Sequence, residues 1–237
     1  MALSSKAKQR VKSYWEKCLN YSISDSLPGI HYSASGSSGF VNLVSWGAQI
    51  IVSGDRDAIT AIERSPIARD GSQLFSRAGL SKIFNQLGTE VMGPAFLGYS
   101  DESSSNVEFS DMTRPIDSST ELFDTFRNTI SSEDWDASGV EPDTHALTGV
   151  VSDGVLVALG GYDIWAESIA HICILTQNKE RGNGYGKTIT QSLMRQAHAE
   201  GYIPQFRTLL SNNASIAVAQ SLGFEQLATS LAIKLPE

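Results

Sequence analysis

Residues 180–189, "ERGNGYGKTI", place three glycines, an arginine and a lysine just ahead of a helix-like run. Glycines let successive backbone N–H groups converge at a helix N-terminus, where the helix dipole and nearby cations favour an anion. The chemistry this suggests is phosphate binding, and spacing decides between templates. A nucleoside-triphosphate loop, G-x-x-x-x-G-K-[ST], read back from Gly186, Lys187 and Thr188 requires glycine at position 181, where Arg181 stands. The dinucleotide fingerprint G-x-G-x-x-G begins at Gly182 and Gly184 but ends on Lys187. A third pattern, R-x-x-G-x-G, fits Arg181, Gly184 and Gly186.

Other residues with chemical potential lie around this loop. His171 sits in an apolar run, "SIAHICILT", on the strand face it shares with Cys173 and Leu175. It titrates near neutrality and is either a proton acceptor, directly or through water, or a core histidine bonded to backbone. Cys173 lies mid-strand without an activating partner, which makes it a poor nucleophile. Glu133, Asp134 and Asp136 are either carboxylates that hold a cationic amine or a solvated acidic loop. His31, His145 and His198 have no metal-ligand spacing, and no metal is expected.

The elements that would position these residues follow from periodicity. In the second half, "ELFDTFRNTI" reads as an amphipathic helix and "SSEDWDASG" as an acidic loop or short helix. The stretch 146–165 reads as two strands around Ser152, Asp153 and Gly154, and 168–176 as a central strand buried on both faces. A helix from Lys187 to about Glu200, a short strand at 206–211, a helix from Asn213 to Leu222 and a strand at 227–235 complete the chain. The first half offers a helix at 6–20 with Val11, Tyr14, Trp15 and Cys18 on one stripe, then a Ser/Gly-rich link, "SASGSSG". A strand–turn–strand follows at 40–55, then two helices, the second closing on Gly88, and a short strand at 93–101. "ESSSN" at 102–106 marks the domain boundary.

Composition narrows the function class. A net charge of −8 argues against a nucleic-acid binder, which needs a basic footprint. No run approaches the ~18 apolar residues of a membrane span, and the N-terminus lacks a signal-peptide core. Two cysteines far apart in sequence, Cys18 and Cys173, read as free thiols in a reducing, cytoplasmic setting.

A second element, "SNNASIAVAQSLGF", follows the glycine loop after one helix and one strand. Together the two resemble the GNAT superfamily of acetyl-CoA-dependent N-acetyltransferases, over about residues 107–237. Arg181, Gly184 and Gly186 match its pyrophosphate signature; Asn212, Ser215, Gly223 and Phe224 match its later N-x-x-[AS]…G-F element. The resemblance implies an α/β (α+β) fold with a mixed, twisted sheet and helices on both faces, at 106–237, after a smaller α+β domain at 1–105. That first domain would be a degenerate copy, a lid or a dimerisation surface. The cofactor would be acetyl-CoA, its pyrophosphate held by Arg181, Gly182, Asn183, Gly184, Tyr185, Gly186 and Lys187. Backbone groups of Ile174 and Thr176 would pair with pantetheine where the central strand splays from its neighbour, and an N–H near Ile174 would face the thioester oxygen. Asn212, with Ser215, would bond the pantetheine or cap the last helix.

One departure stands out: many relatives carry a tyrosine seven residues after the motif asparagine, and here that position is Ala219. The expected function is direct acetyl transfer to an amine, that of a small molecule, with His171 or Glu133 as base, by a monomer or homodimer. A catalytically inactive acyl-CoA-binding module is the main alternative, and a nucleotide switch a more distant one.

Overall fold

A computed structural model of the chain describes residues 2–24, 26–34, 39–84, 90–102 and 112–235. The boundary expected at 102–106, the helix stop expected at Gly88 and most of the Ser/Gly link fall largely outside those residues. The described chain gathers into two compact units, each built from separated stretches. One comprises Lys8–Gly98, Arg207–Ile216 and Gln226–Glu237, the other Met1–Ala7, Tyr99–Phe206 and Ala217–Glu225.

In the first unit, helix α1 (Ser5–Leu19) buries Val11, Trp15 and Leu19. The i, i+4 spacing makes Leu19, and not the exposed Cys18, the end of the stripe. Strands β1 (Gly29–Ala34), β2 (Phe40–Trp46), β3 (Gln49–Gly54), β4 (Glu90–Tyr99) and β10 (Glu225–Lys234) are ordered β1-β3-β2-β10-β4. The last strand of the chain therefore pairs antiparallel with β2. Helix α2 (Arg56–Arg64), capped by Asp55, packs Ile59 and Ile62 on this sheet. The helical run expected at 72–88 breaks at Phe75 into α3 (Gly71–Leu74) and α4 (Arg77–Phe84). Asp70 causes the early start: its carboxylate accepts from Ser72 and Gln73 N–H and caps a separate turn. Strand β1 adjoins the Ser/Gly link, and the sequence pattern did not single it out.

The second unit holds the remaining strands in the order β9-β8-β7-β6-β5. These are β5 (Thr113–Pro115), β6 (His145–Ser152), β7 (Val155–Trp165), β8 (Ile169–Thr176) and β9 (Ile203–Leu209). Asp153 and Gly154 both take positive φ, 49° and 80°, so the β6–β7 hairpin closes with the mirror-image turn that matches strand twist. Helices α5 (Glu121–Asn128) and α6 (Ser132–Ser138) place Phe123, Phe126 and Trp135 with Leu159, Cys173 and Leu175 in one core. Helix α7 (Tyr185–Ala199) buries Ile189, Leu193 and Ala197, an i, i+4, i+8 stripe. It lies against the residues that alternate with that core: a Cβ added at Gly160 would stand 2.8 Å from Ile189 and 3.0 Å from Ile174. The sheet of this unit thus carries helices on both faces, as expected. Helix α8 is Asn213–Ser221.

At Gly160 α7 and β8 both approach β7 closely, and an added Cβ would also come within 2.7 Å of the Cys173 carbonyl oxygen. Gly160→Ala should therefore lower the unfolding free energy by about 1–3 kcal/mol, the usual range for overpacking. Urea titration of both proteins measures this. An unchanged midpoint would show that the contact is not tight.

Candidate functional site

Strand β8 pairs on one edge with β7 along its full length, from Trp165–Ile169 to Ala158–Thr176. On its other edge the parallel ladder with β9 runs only from Ile169–Ile203 to Ile172–Phe206. Residues 173–176 thus have ladder partners on one edge alone among the described residues, leaving backbone donors and acceptors for an extended ligand. Ile174 and Thr176, expected at such an edge, are on it.

The loop after β8 is anchored by a residue that the motif reading passed over. Gln177 is buried; its backbone N–H donates to the Val157 carbonyl at 3.0 Å and its Nε2 to the Leu156 carbonyl at 3.0 Å. One 3-10 turn, Asn178–Glu180, leads to Arg181. Gly182 and Gly184 take φ of +86° and +83°, and a Cβ at either would meet nothing within 4 Å. The glycines are thus required by backbone conformation while their outer face stays open. Gly184 caps α7 without a side-chain bond, and the first helical acceptor is its carbonyl, taking the Thr188 N–H at 3.0 Å. The N–H groups of Tyr185, Gly186 and Lys187 precede that bond and have no acceptor in the helix. A Cβ on Gly186 would lie 3.6 Å from Ile174 Cδ1 and 3.7 Å from Thr176 Oγ1, so the end of β8 meets the first turn of α7. Asn183 bonds Glu180 across the loop at 3.2 Å, and Lys187 is exposed.

Arg181 has a partner that spacing did not predict. Its guanidinium donates to Asp134 on α6 at 3.2 Å, and Asn178 Nδ2 donates to the same carboxylate at 3.3 Å. The Arg181 hydrogen bond, then those of Ser131 and Asn178, hold the Asp134 carboxyl below its ordinary value. The acidic trio is therefore split: Asp134 turns to the glycine loop, while Glu133 and Asp136 are exposed.

On the opposite face of β8, His171 stacks on Trp165 with centroids 4.1 Å apart and planes at 19°. Its Nδ1 lies 2.9 Å from Gln205 Oε1, and Gln205 Nε2 donates to the Tyr99 hydroxyl at 2.6 Å. Asp163 is the register partner of His171 on β7, so the two side chains leave the sheet on one face. Burial first, and the Asp143 carboxylate second, raise the Asp163 pKa. Asp163 and Trp165 alternate along β7, so the hairpin register was the available sequence signal for this group. A glutamine inside the apolar run "IPQF" was the signal for Gln205. Cys173, two residues on, has its thiol pushed up to about 12, by burial foremost and by Asp163 next. It is no thiolate near neutral pH.

Asn212 Oδ1 accepts the Ser215 N–H at 3.1 Å, so the motif asparagine caps α8. Ala219 is fully buried, and its carbonyl accepts the Phe224 N–H at 3.0 Å. Among the described residues no cluster of three His, Cys, Asp or Glu side chains could hold a metal, and no helix is long and apolar enough to cross a membrane.

Residues 109–224 match the model of the acetyltransferase (GNAT) family. A search of the curated proteins found no match. Among solved structures, a protein of the GNAT family from Novosphingobium aromaticivorans is 21% identical over 63% of this chain and 69% of its own, with a TM-score of 0.49. An acetyltransferase from the GNAT family of Colwellia psychrerythraea is 17% identical, over 66% and 61%, with a TM-score of 0.49. A GCN5-related N-acetyltransferase from Kribbella flavida is 19% identical, over 67% and 64%, also at 0.49. The chain thus spans between 61% and 69% of the length of these three.

The Asp134–Arg181 contact has a pH signature. Because the folded-state pKa of Asp134 lies below its ordinary 3.8, its stabilisation is present above that value and is lost as pH falls through the folded pKa. Asp134→Asn should lower the melting temperature at neutral pH, and the gap to the parent should close as pH falls through the lowered folded-state pKa. A gap independent of pH would assign the effect to packing.

Proposed function

Residues 109–224 of this chain belong to the acetyltransferase (GNAT) family, and from that premise we propose that the protein transfers an acetyl group from acetyl-CoA to the amine of a small molecule. The observation that carries the reading is the open glycine loop abutting the one-edged end of β8. Two positive-φ glycines without neighbours, three N–H groups at the start of α7 and the exposed cations Arg181 and Lys187 fit a pyrophosphate. The edge at Ile174 and Thr176 fits the amides of a pantetheine arm, as an added strand would pair there. Asn212 and Ser215 are assigned to the same ligand on the family motif. Acetyl-CoA supplies the activated acyl group; the chain's task is to bind it, place the amine and take a proton.

An ammonium must lose its proton before nitrogen can attack the thioester carbon. His171 is assigned to accept it, on the face of β8 opposite Ile174. The N–C bond forms as the C–S bond breaks, and the thiolate leaves; with a thiol pKa of ~8.5 it needs no dedicated acid, which suits Ala219 where relatives hold tyrosine. The raised pKa of Cys173 favours direct transfer over an acyl-enzyme. Glu133, exposed on α6, is the second candidate base, acting through water. The buried Ala219 is also the observation that favours the other reading, an acyl-CoA-binding module without turnover. The family match, starting at residue 109, supports a sequence boundary near residue 105. A cytoplasmic location accords with two free thiols.

Calorimetry with acetyl-CoA and with ATP–magnesium tests the ligand. Acetyl-CoA should bind in the micromolar range and raise the melting temperature; ATP binding without acetyl-CoA binding would overturn the reading. Gly184→Val, strained at φ +83° but free of clashes, should remain folded and lose most of its acetyl-CoA affinity. Coenzyme A release over a panel of amines separates enzyme from binding module. With an acceptor in hand, His171→Gln should cut turnover by ~10²–10⁴-fold and spare acetyl-CoA binding. A parent-like pH–rate profile in that variant would remove His171 and leave Glu133.

A further inference from the structure

We propose that Gln205 and Tyr99 are positioning residues that fix which nitrogen of His171 carries the proton. The proposal rests on the reading of His171 as the base. Gln205 stands opposite His171 in the parallel β8–β9 ladder, and both Gln205 and Tyr99 are fully buried. An amide nitrogen only donates and an amide oxygen only accepts. With Gln205 Nε2 given to the Tyr99 hydroxyl at 2.6 Å, its Oε1 faces His171 Nδ1 at 2.9 Å and must accept a hydrogen bond from it. The neutral imidazole is then held as the Nδ1–H tautomer, with its basic lone pair on Nε2.

The neighbours of His171 reinforce this arrangement. Trp165 stacked on the ring fixes its plane, so the ring cannot turn to exchange its nitrogens without leaving the stack. From β7 the facing group is Asp163, from β8 Cys173 with a raised pKa, and from β9 the uncharged Gln205. The hydrogen-bond partner at Nδ1 is therefore neutral. It orients the imidazole without adding the negative charge that would hold it protonated.

The test reads the tautomer directly. The protein is labelled with nitrogen-15 in its four histidines, the His171 signals are identified by their loss in His171→Gln, and long-range proton–nitrogen correlations are recorded above the ring's titration. We expect the proton on Nδ1 in the parent. Gln205→Leu should lose that preference and reduce turnover by no more than the ~10²–10⁴-fold of a missing base, with acetyl-CoA affinity unchanged. Gln205→Glu, which also accepts from Nδ1, should keep the tautomer and move the alkaline-rising limb of the pH–rate profile upward. Tyr99→Phe should weaken the preference. A proton on Nε2 in the parent, or a tautomer unmoved by Gln205→Leu, would overturn the proposal. Should Gln205→Leu fail to fold, the parent and Gln205→Glu spectra decide. Failure of the underlying reading is distinguishable: it appears as a His171→Gln profile like the parent's, whatever the spectra show.

Discussion

A backbone donor or acceptor drawn out of water needs a partner, and among the described residues the end of β8 has ladder partners on one edge only. The other features of the site are arranged around this constraint. Up to Ile172 the strand is held from both sides by β7 and β9. Beyond it, β7 alone holds the strand straight, and Gln177 ties the following loop back to the same neighbour through two hydrogen bonds. A rigid strand with a free edge is a template for an extended ligand, whereas a free edge that could move would not be. The sidedness of the strand then divides the labour. Ile174 and Thr176 look toward α7 and its glycine loop, while His171 and Cys173 look the other way.

The charge arrangement of the loop follows from where its cation is stored. An exposed arginine beside three N–H groups with no helical acceptor would be held by nothing in the absence of an anion. Instead Arg181 rests on Asp134, itself held by Asn178 and by the cap of α6. Each of these contacts is solvent-accessible and individually weak. A dianionic pyrophosphate offers Arg181 more charge than one carboxylate does, so an exchange of partners at that site costs little. It would also release Asp134 from the loop, which links α6 to the occupancy of the phosphate site in the proposed reaction.

What the sequence made legible was what depends on a few neighbouring residues. The β6–β7 turn needed two residues tolerant of positive φ, and Asp153 and Gly154 declare them. The glycine loop was legible for the same reason, and the amphipathic stripe of α7 was visible from its period. Other features depended on partners far along the chain. Nothing near Arg181 points to Asp134, and nothing near His171 points to Tyr99. The pairing of the last strand with β2 is likewise a long-range choice, set by which open edge β10 finds. Where local signals misled, a competing local bond decided: Asp70 capped a turn and divided a helix, and the i, i+4 spacing of α1 selected Leu19 over Cys18.

The two faces of β8 also differ in how they treat charge. On the His171 face the nearest strand neighbours are a carboxyl with a raised pKa, a thiol pushed up to about 12 and a neutral amide. Burial, more than any neighbouring charge, is what raises both the carboxyl and the thiol. Such a surface is poorly suited to covalent catalysis through Cys173, whose thiol stays protonated near neutral pH. In the proposed reaction it would receive one proton at His171 and give it up again. The glycine-loop side is the reverse: the start of α7 and the exposed Arg181 and Lys187 present positive charge to solvent. In a reaction that moves an acyl group to an amine, the two demands are binding a highly charged cofactor and discharging an ammonium. In the proposed reading, one strand would meet both by keeping them on opposite faces.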